Sequence, residues 1–306
     1  MKTLVYIAST GYSGSTLLES ILGSNPRFLN LGEIYKLSYW PVCSCGEKVA
    51  SCSFWQELER LLQQQSGDAS ARLQDWHIQG RRGQGKFQRL LHDAFIALGG
   101  PESLGLFKLL STEVRSFSEG CERALKLFET AAAMTGASVI VDSSKDPLLL
   151  KHLYALAPDK LRVIHLVRDA RAVSHSFVKN FKRDGTAYVA EDSGAQPTLA
   201  QAAEYWKDRN RKIGIASWRI PPDQRLFIRY EDLCLKREDS AAALSRFIGE
   251  EIVIPETIHL KQQHTIAGNP MRQTETSIQV RLTEDWQDKL GGEDIAQIAK
   301  ITGCSW

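Results

Sequence analysis

The stretch Gly11-Tyr12-Ser13-Gly14-Ser15-Thr16-Leu17 has the residue types needed to hold an anion. Two glycines permit a tight turn. From Ser15 onward, Leu17, Leu18, Ile21 and Leu22 fall on one side of a helix. The free N–H groups of a first helical turn point outward, and the helix dipole favours negative charge. Such a turn is a cradle for a phosphate or a similar oxyanion. Ser13, Ser15 and Thr16 add hydroxyl donors. The nucleotide triphosphatase loop needs a Lys directly after its second glycine; here Ser15 follows Gly14, so nothing points to the magnesium-triphosphate arrangement.

The elements that must position this turn are legible from periodicity. Leu4 to Ala8 is an apolar run that reads as a buried strand, and Gly23-Ser24-Asn25-Pro26 ends the helix in the expected Gly-then-Pro order. Phe28 to Glu33 is a short extended stretch. Ser138 to Asp142, Leu161 to Val167 and Arg225 to Arg229 are further strands. Helices are expected over Phe54 to Gln64, 87–98 and 117–135, then after Pro147, from Ala170 to about Phe181, and over 198–216 and Ser240 to Ile248. This alternation predicts an α/β fold: an open, mainly parallel sheet with helices on both faces. The chain is expected to form a single domain over 1–306, with a helical and loop insertion at about 40–135. Residues 65–86, rich in Gln, Gly, Ser and Arg, read as an exposed segment or lid, and 182–197 as a polar loop. Ligands of such sheets bind at the carboxyl ends of the strands, where Ser13 to Thr16, Lys145, Arg168 and Tyr230 all fall.

Composition narrows the classes. The 306 residues are 43% hydrophobic and 24% charged, which fits a globular protein. A formal net charge of +2 gives no support for a nucleic-acid partner. No apolar run reaches the ~18 residues of a membrane span, and the first strand starts too early for a signal peptide. A cytoplasmic, reducing setting is expected. The six cysteines make no disulfide framework in a chain this long. Cys43, Cys45 and Cys52 cluster in sequence, without C-x-x-C spacing and with no nearby His. Ordinary thiols are the first reading, a disulfide the second and a metal the third.

Two stretches resemble the sulfotransferases that use 3′-phosphoadenosine 5′-phosphosulfate as donor. Gly11 to Pro26 is similar to the family's 5′-phosphosulfate loop, helix and Asn-Pro. Val163-Ile164-His165-Leu166-Val167-Arg168-Asp169-Ala170-Arg171-Ala172-Val173-Ser174-His175-Ser176 is similar to its 3′-phosphate motif. Weaker matches are Ser144-Lys145-Asp146-Pro147, Arg229-Tyr230-Glu231-Asp232-Leu233 and Gly268-Asn269-Pro270-Met271-Arg272. The motif layout is nearest to the tyrosyl-protein and carbohydrate-type members. The resemblance implies a P-loop-like nucleotide-binding fold with the donor held by Tyr12, Ser13, Gly14, Ser15, Thr16, Leu17, Arg168, Ser176, Tyr230 and Arg272. A guanidinium fork at Arg168 suits bidentate contact with the 3′-phosphate. Tyr230 is placed either against the adenine or packed at a sheet edge. Arg272 resembles the late loop that closes over the 3′-phosphate, or is an ordinary surface arginine.

The implied reaction is an in-line displacement at sulfur, with the protein positioning both groups and stabilising charge. The resemblance makes Glu33 the base that takes the acceptor's proton, with His175 in reserve. Much of the family carries a cation just before the Ser-Gly pair of the loop, where this chain has Tyr12; Lys145 is the expected replacement, with a pair to Asp146 as its alternative. His165 reads as a strand residue with a structural partner. No metal is expected, since the donors and cations cover the charges. The acceptor, a small molecule, glycan or peptide, is not named by the sequence. Two other readings stay open here: a nucleotide-binding phosphotransferase, disfavoured by the missing Lys, and a catalytically silent nucleotide-binding relative, for which Tyr12 speaks.

Overall fold

The computed structural model describes residues 1–73, 76, 78, 86–184, 196–260, 263–269, 272 and 275–304. Much of the expected lid at 65–86, most of the 182–197 loop, and Pro270 and Met271 lie outside the described residues.

Five parallel strands form the main sheet: β1 (Thr3–Ser9), β2 (Phe28–Gly32), β3 (Val139–Asp142), β4 (Leu161–Val167) and β5 (Arg225–Arg229). Their order is β2-β3-β1-β4-β5. The chain therefore leaves β1 toward one side and returns to pair β4 on the other. Where the order reverses, the loops diverge and open a crevice at the carboxyl end of β1.

Alternation along β1 builds both cores. Leu4, Tyr6 and Ala8 face one side, and Val5 and Ile7 the other. The first face packs against α2 (Ser53–Ser66), α5 (Thr112–Thr135) and α6 (Pro147–Leu156). The second packs against α1 (Ser15–Leu22), α9 (Tyr230–Leu235) and α10 (Arg237–Ile248). Helices α3 (Lys86–Leu98) and α4 (Leu104–Leu110) complete the insertion between β2 and β3, and α4 falls where the sequence pattern indicated no element. Helices α7 (Ala170–Asp184), α8 (Leu199–Ser217) and α11 (Gly292–Thr302) pack together beside β4. A short antiparallel pair, β6 (Thr257–His259) and β7 (Ser277–Gln279), lies outside the main sheet.

The ends of the helices follow their capping residues. Asp146 caps α6 by accepting from the backbone N–H groups of Leu148 and Leu149 at 2.9 and 3.0 Å, with Pro147 in the first turn. Thr198 and Gln201 form a capping box on α8. Among the described residues, no helix is long and apolar enough to cross a membrane.

Candidate active site

The turn after β1 is built around Gly14. Its φ of 86° is left-handed, and an added Cβ would stand 2.2 Å from the Tyr230 ring. Glycine alone satisfies both demands. Helix α1 starts directly behind it, with no side-chain cap and no acidic residue in its first turn. Its first N–H groups are thus left for an anion rather than spanned by a carboxylate. Gly14, Ser15, Thr16 and Leu17 line a cavity of about 800 Å³, a size suited to a nucleotide-like ligand. Ser13 turns away, its hydroxyl against that of Thr10 in the interior. Tyr12, at φ 62°, lines the cavity and packs edge-on against Phe177 at 5.8 Å.

Arg168 directly follows β4 and lines the same cavity. It ties the two motifs together, donating from Nη1 to the Tyr12 carbonyl at 3.1 Å. Its Nη2 donates to the carbonyl and hydroxyl of Thr283 at 2.7 and 2.9 Å. The guanidinium lies over the Tyr230 ring, 4.5 Å from its centroid. Its Nε–H is buried with no acceptor among the described residues. Asp169 and Glu231 do not hold it: Asp169 pairs with Arg171 at 2.5 Å, and Glu231 accepts from the Asp169 N–H at 2.9 Å. Tyr230 is buried between Gly14 and Arg168, and its hydroxyl lies 3.2 Å from the Arg281 carbonyl. Ser176 and His175 also line the cavity, and burial pushes the His175 imidazole below its ordinary value.

The floor is an ionic cluster. Glu33, just after β2, meets the Lys145 ammonium at 2.7 Å through one carboxylate oxygen and that of Lys36 at 3.0 Å through the other. Burial works to raise the Glu33 carboxyl, but Lys145 and then Lys36 outweigh it and hold it at about 2. Burial lowers Lys145 in turn, against the pull of Glu33. Lys145 sits at φ 67°, a conformation that a bulky residue adopts only when its surroundings impose it. Its partner is Glu33 rather than Asp146, which caps α6 and meets Arg209 at 3.4 Å.

Arg272, expected either on the late loop over the 3′-phosphate or as a surface arginine, is buried behind the cradle. The side chain is 4% exposed and does not reach the cavity. It pairs with Glu19 at 2.7 Å and donates to the Thr265 hydroxyl at 2.9 Å and the Thr16 carbonyl at 3.3 Å. Glu19 is fully buried on the inner side of α1, and Arg272 is the cation that compensates it. The residue braces the back of the cradle. His165, as expected, has a structural partner, Asn210 at 2.9 Å.

The sequence reading missed Tyr205 and Arg209, which line the cavity from α8. Their i,i+4 spacing on one helix face was the available signal. Tyr205 accepts from the Gly11 N–H at 3.3 Å. Lys36 and Asn269 were also missed; the Asn269 N–H donates to the Thr16 hydroxyl at 3.2 Å.

An open parallel sheet places an uncapped helix N-terminus, an arginine and an acid–lysine pair around one crevice, a donor set whose chemistry suits an anion. The family model described as "Sulfotransferase family" matches residues 5–253, and the chain belongs to that family. Two solved structures share the fold over the whole chain. The sulfotransferase domain from the curacin biosynthetic pathway is 19% identical, with a TM-score of 0.52 over 100% of this chain and 99% of that one. The sulfotransferase domain from the Synechococcus PCC 7002 olefin synthase is also 19% identical, with a TM-score of 0.52 over 100% and 97%. No curated protein matches the chain.

Proposed function

We propose that the protein moves a sulfuryl group from 3′-phosphoadenosine 5′-phosphosulfate to a hydroxyl or amine of a small-molecule, glycan or peptide acceptor, with the whole chain acting as one cytoplasmic domain. The observation that carries this reading is that the α1 cradle, Arg168 and the Glu33–Lys145 pair open onto one cavity. The α1 N–H groups, with Ser15 and Thr16, would hold the 5′-phosphosulfate, while Arg168 and Ser176 hold the 3′-phosphate. The uncapped α1 terminus and the Arg168 guanidinium at the cavity wall support that double-anion reading. Tyr230 keeps Arg168 in position.

Bound donor supplies an activated sulfur–oxygen bond. The acceptor's oxygen or nitrogen forms a bond to sulfur as the bond to the phosphate oxygen breaks, and the electron pair leaves on that phosphate. Lys145 turns to the charge growing on the sulfuryl and bridging oxygens, the task for which the loop has Tyr12 and no cation. In doing so it releases Glu33. A carboxylate held at about 2 is a poor base, so loss of the Lys145 contact, with Lys36 still in place, raises its basicity when the acceptor's proton must be taken.

The test is transfer of labelled sulfate from the donor to a panel of phenols, sugars, amines and peptides. Transfer to at least one acceptor, abolished in Glu33→Gln, is the expected result. Donor binding without transfer to any acceptor would mark a silent relative. Magnesium-dependent ATP turnover would mark a phosphotransferase.

A further inference from the structure

The structure assigns a second site, away from the cleft, and we propose that it holds one zinc ion on Cys43, Cys45, Cys52 and His264. The ligating atoms of these four residues all lie within 4.8 Å of one another. A tetrahedral zinc with Zn–S of about 2.3 Å and Zn–N of about 2.0–2.1 Å sets sulfurs about 3.8 Å apart and sulfur about 3.6 Å from nitrogen. The Cys45 and Cys52 sulfurs are 3.7 Å apart, and His264 Nδ1 lies 3.7 Å from the Cys43 sulfur and 3.3 Å from that of Cys52. These three separations lie within about 0.3 Å of those of a tetrahedral site. The donor set, three thiolates and an imidazole, is one that structural zinc sites use.

The geometry does not fit a disulfide. A sulfur–sulfur bond is about 2.0 Å long, far from 3.7 Å, and oxidation of Cys45 and Cys52 would leave Cys43 and His264 facing each other without a role. Nor is the cluster an accident of loose loops. Cys43 to Gly46 form a tight turn, with Gly46 at φ 95° and its N–H donating to the Cys43 carbonyl at 3.0 Å. Ser44, between the first two cysteines, binds the second loop three times. Its N–H donates to the Thr265 carbonyl at 3.0 Å, its hydroxyl to the Gln263 carbonyl at 2.5 Å, and it accepts from the Thr265 N–H at 2.8 Å. Cys52 is held as the first residue before α2. The His264 ring stacks on Phe54, interplanar angle 1° and centroids 5.0 Å apart, which fixes the direction of Nδ1.

The ion would staple the insertion to a loop 212 residues further along the chain. That loop is the back wall of the cleft. Its Ile266 pairs with Gly32 and accepts from the Glu33 N–H at 2.9 Å, and Asn269 reaches Thr16. Gly32 is glycine because a Cβ there would stand 2.2 Å from the Ile266 carbonyl oxygen.

The experiment is metal analysis of the full-length protein, purified without added metal or chelator, with thiol titration by a mercurial and a colorimetric zinc indicator. We expect about one zinc per chain, released in step with modification of the three cysteines. Removal by a strong chelator should lower the unfolding midpoint, and zinc should restore it. His264→Ala should lose the ion, and His264→Cys, which keeps four soft ligands, should retain it, separating lost ligation from lost folding. Cobalt(II) exchange should give the absorption of a tetrahedral thiolate complex. Folded protein that carries no zinc and takes none up overturns the assignment. So does a Cys45–Cys52 disulfide in freshly isolated protein, or zinc retained in full by both His264→Ala and Cys45→Ser. These readouts are independent of sulfuryl transfer, so the site stands or falls separately from the proposed reaction.

Discussion

Replacing Glu33 by Gln tests the ionic floor of the cleft through stability alone. Taking the Glu33 carboxyl from its ordinary 4.5 to about 2 corresponds to about 3 kcal/mol of native-state stability at neutral pH. This is an upper figure, because Lys145, whose charge burial already disfavours, can shed its proton once the acid is gone. The folded-state pKa is depressed, so the contribution is present in full above about 4.5 and is lost as pH falls toward 2. At pH 3.5 the wild-type advantage should be smaller by about 1.4 kcal/mol than at pH 7. The glutamine has nothing to titrate. At about 2–4 °C per kcal/mol, the midpoint of the variant should fall by about 6–12 °C at pH 7, and the gap should narrow by about a third or more at pH 3.5. Thermal unfolding followed by circular dichroism at both pH values reads this directly. A gap that is the same at both, or one under about 0.5 kcal/mol at pH 7, would refute the idea that Glu33 is held ionised by its two lysines.

Two further outcomes follow from the same cluster and its supports. Lys145→Ala should lower the rate of transfer by about 100- to 1000-fold while leaving binding of the desulfated donor within a few-fold, since its charge is needed where charge develops; steady-state kinetics beside calorimetry would separate the two. Arg272→Met leaves Glu19 buried without its cation and should destabilise the protein by about 3–5 kcal/mol in urea unfolding. Pairing it with Glu19→Gln should recover a large part of that loss, whereas a direct phosphate ligand at Arg272 would show no such recovery.

The strands and both principal turns were legible because they are local. Leu4 to Ala8 and Leu161 to Val167 are apolar runs followed directly by polar residues, so periodicity placed the glycine turn and Arg168 at the carboxyl ends of two strands. What was illegible depended on long-range contact. Arg272 read as a late-loop ligand or a surface arginine, and its pairing with Glu19 was not foreseen, because one sequence does not show which helix face meets a loop more than 250 residues away. Lys145 had an adjacent acid in Asp146, yet Pro147 turns that acid into a helix cap and the left-handed φ at Lys145 aims the ammonium at Glu33. The cysteines looked like ordinary thiols because their fourth partner, His264, enters from a distant loop. The insertion left α4 unseen, its seven residues being too few for a periodic signal.

In the proposed reaction one cavity grips both phosphates of an adenosine bisphosphate, the α1 N–H groups meeting one and Arg168 the other. Isothermal titration with 3′-phosphoadenosine 5′-phosphate, without magnesium, measures this most directly in wild type and in Arg168→Ala. The wild type should bind with a micromolar Kd, weakened by about 10- to 100-fold in the variant, the range expected for losing charge-assisted hydrogen bonds to one phosphate. Equal affinity in the two proteins would contradict it.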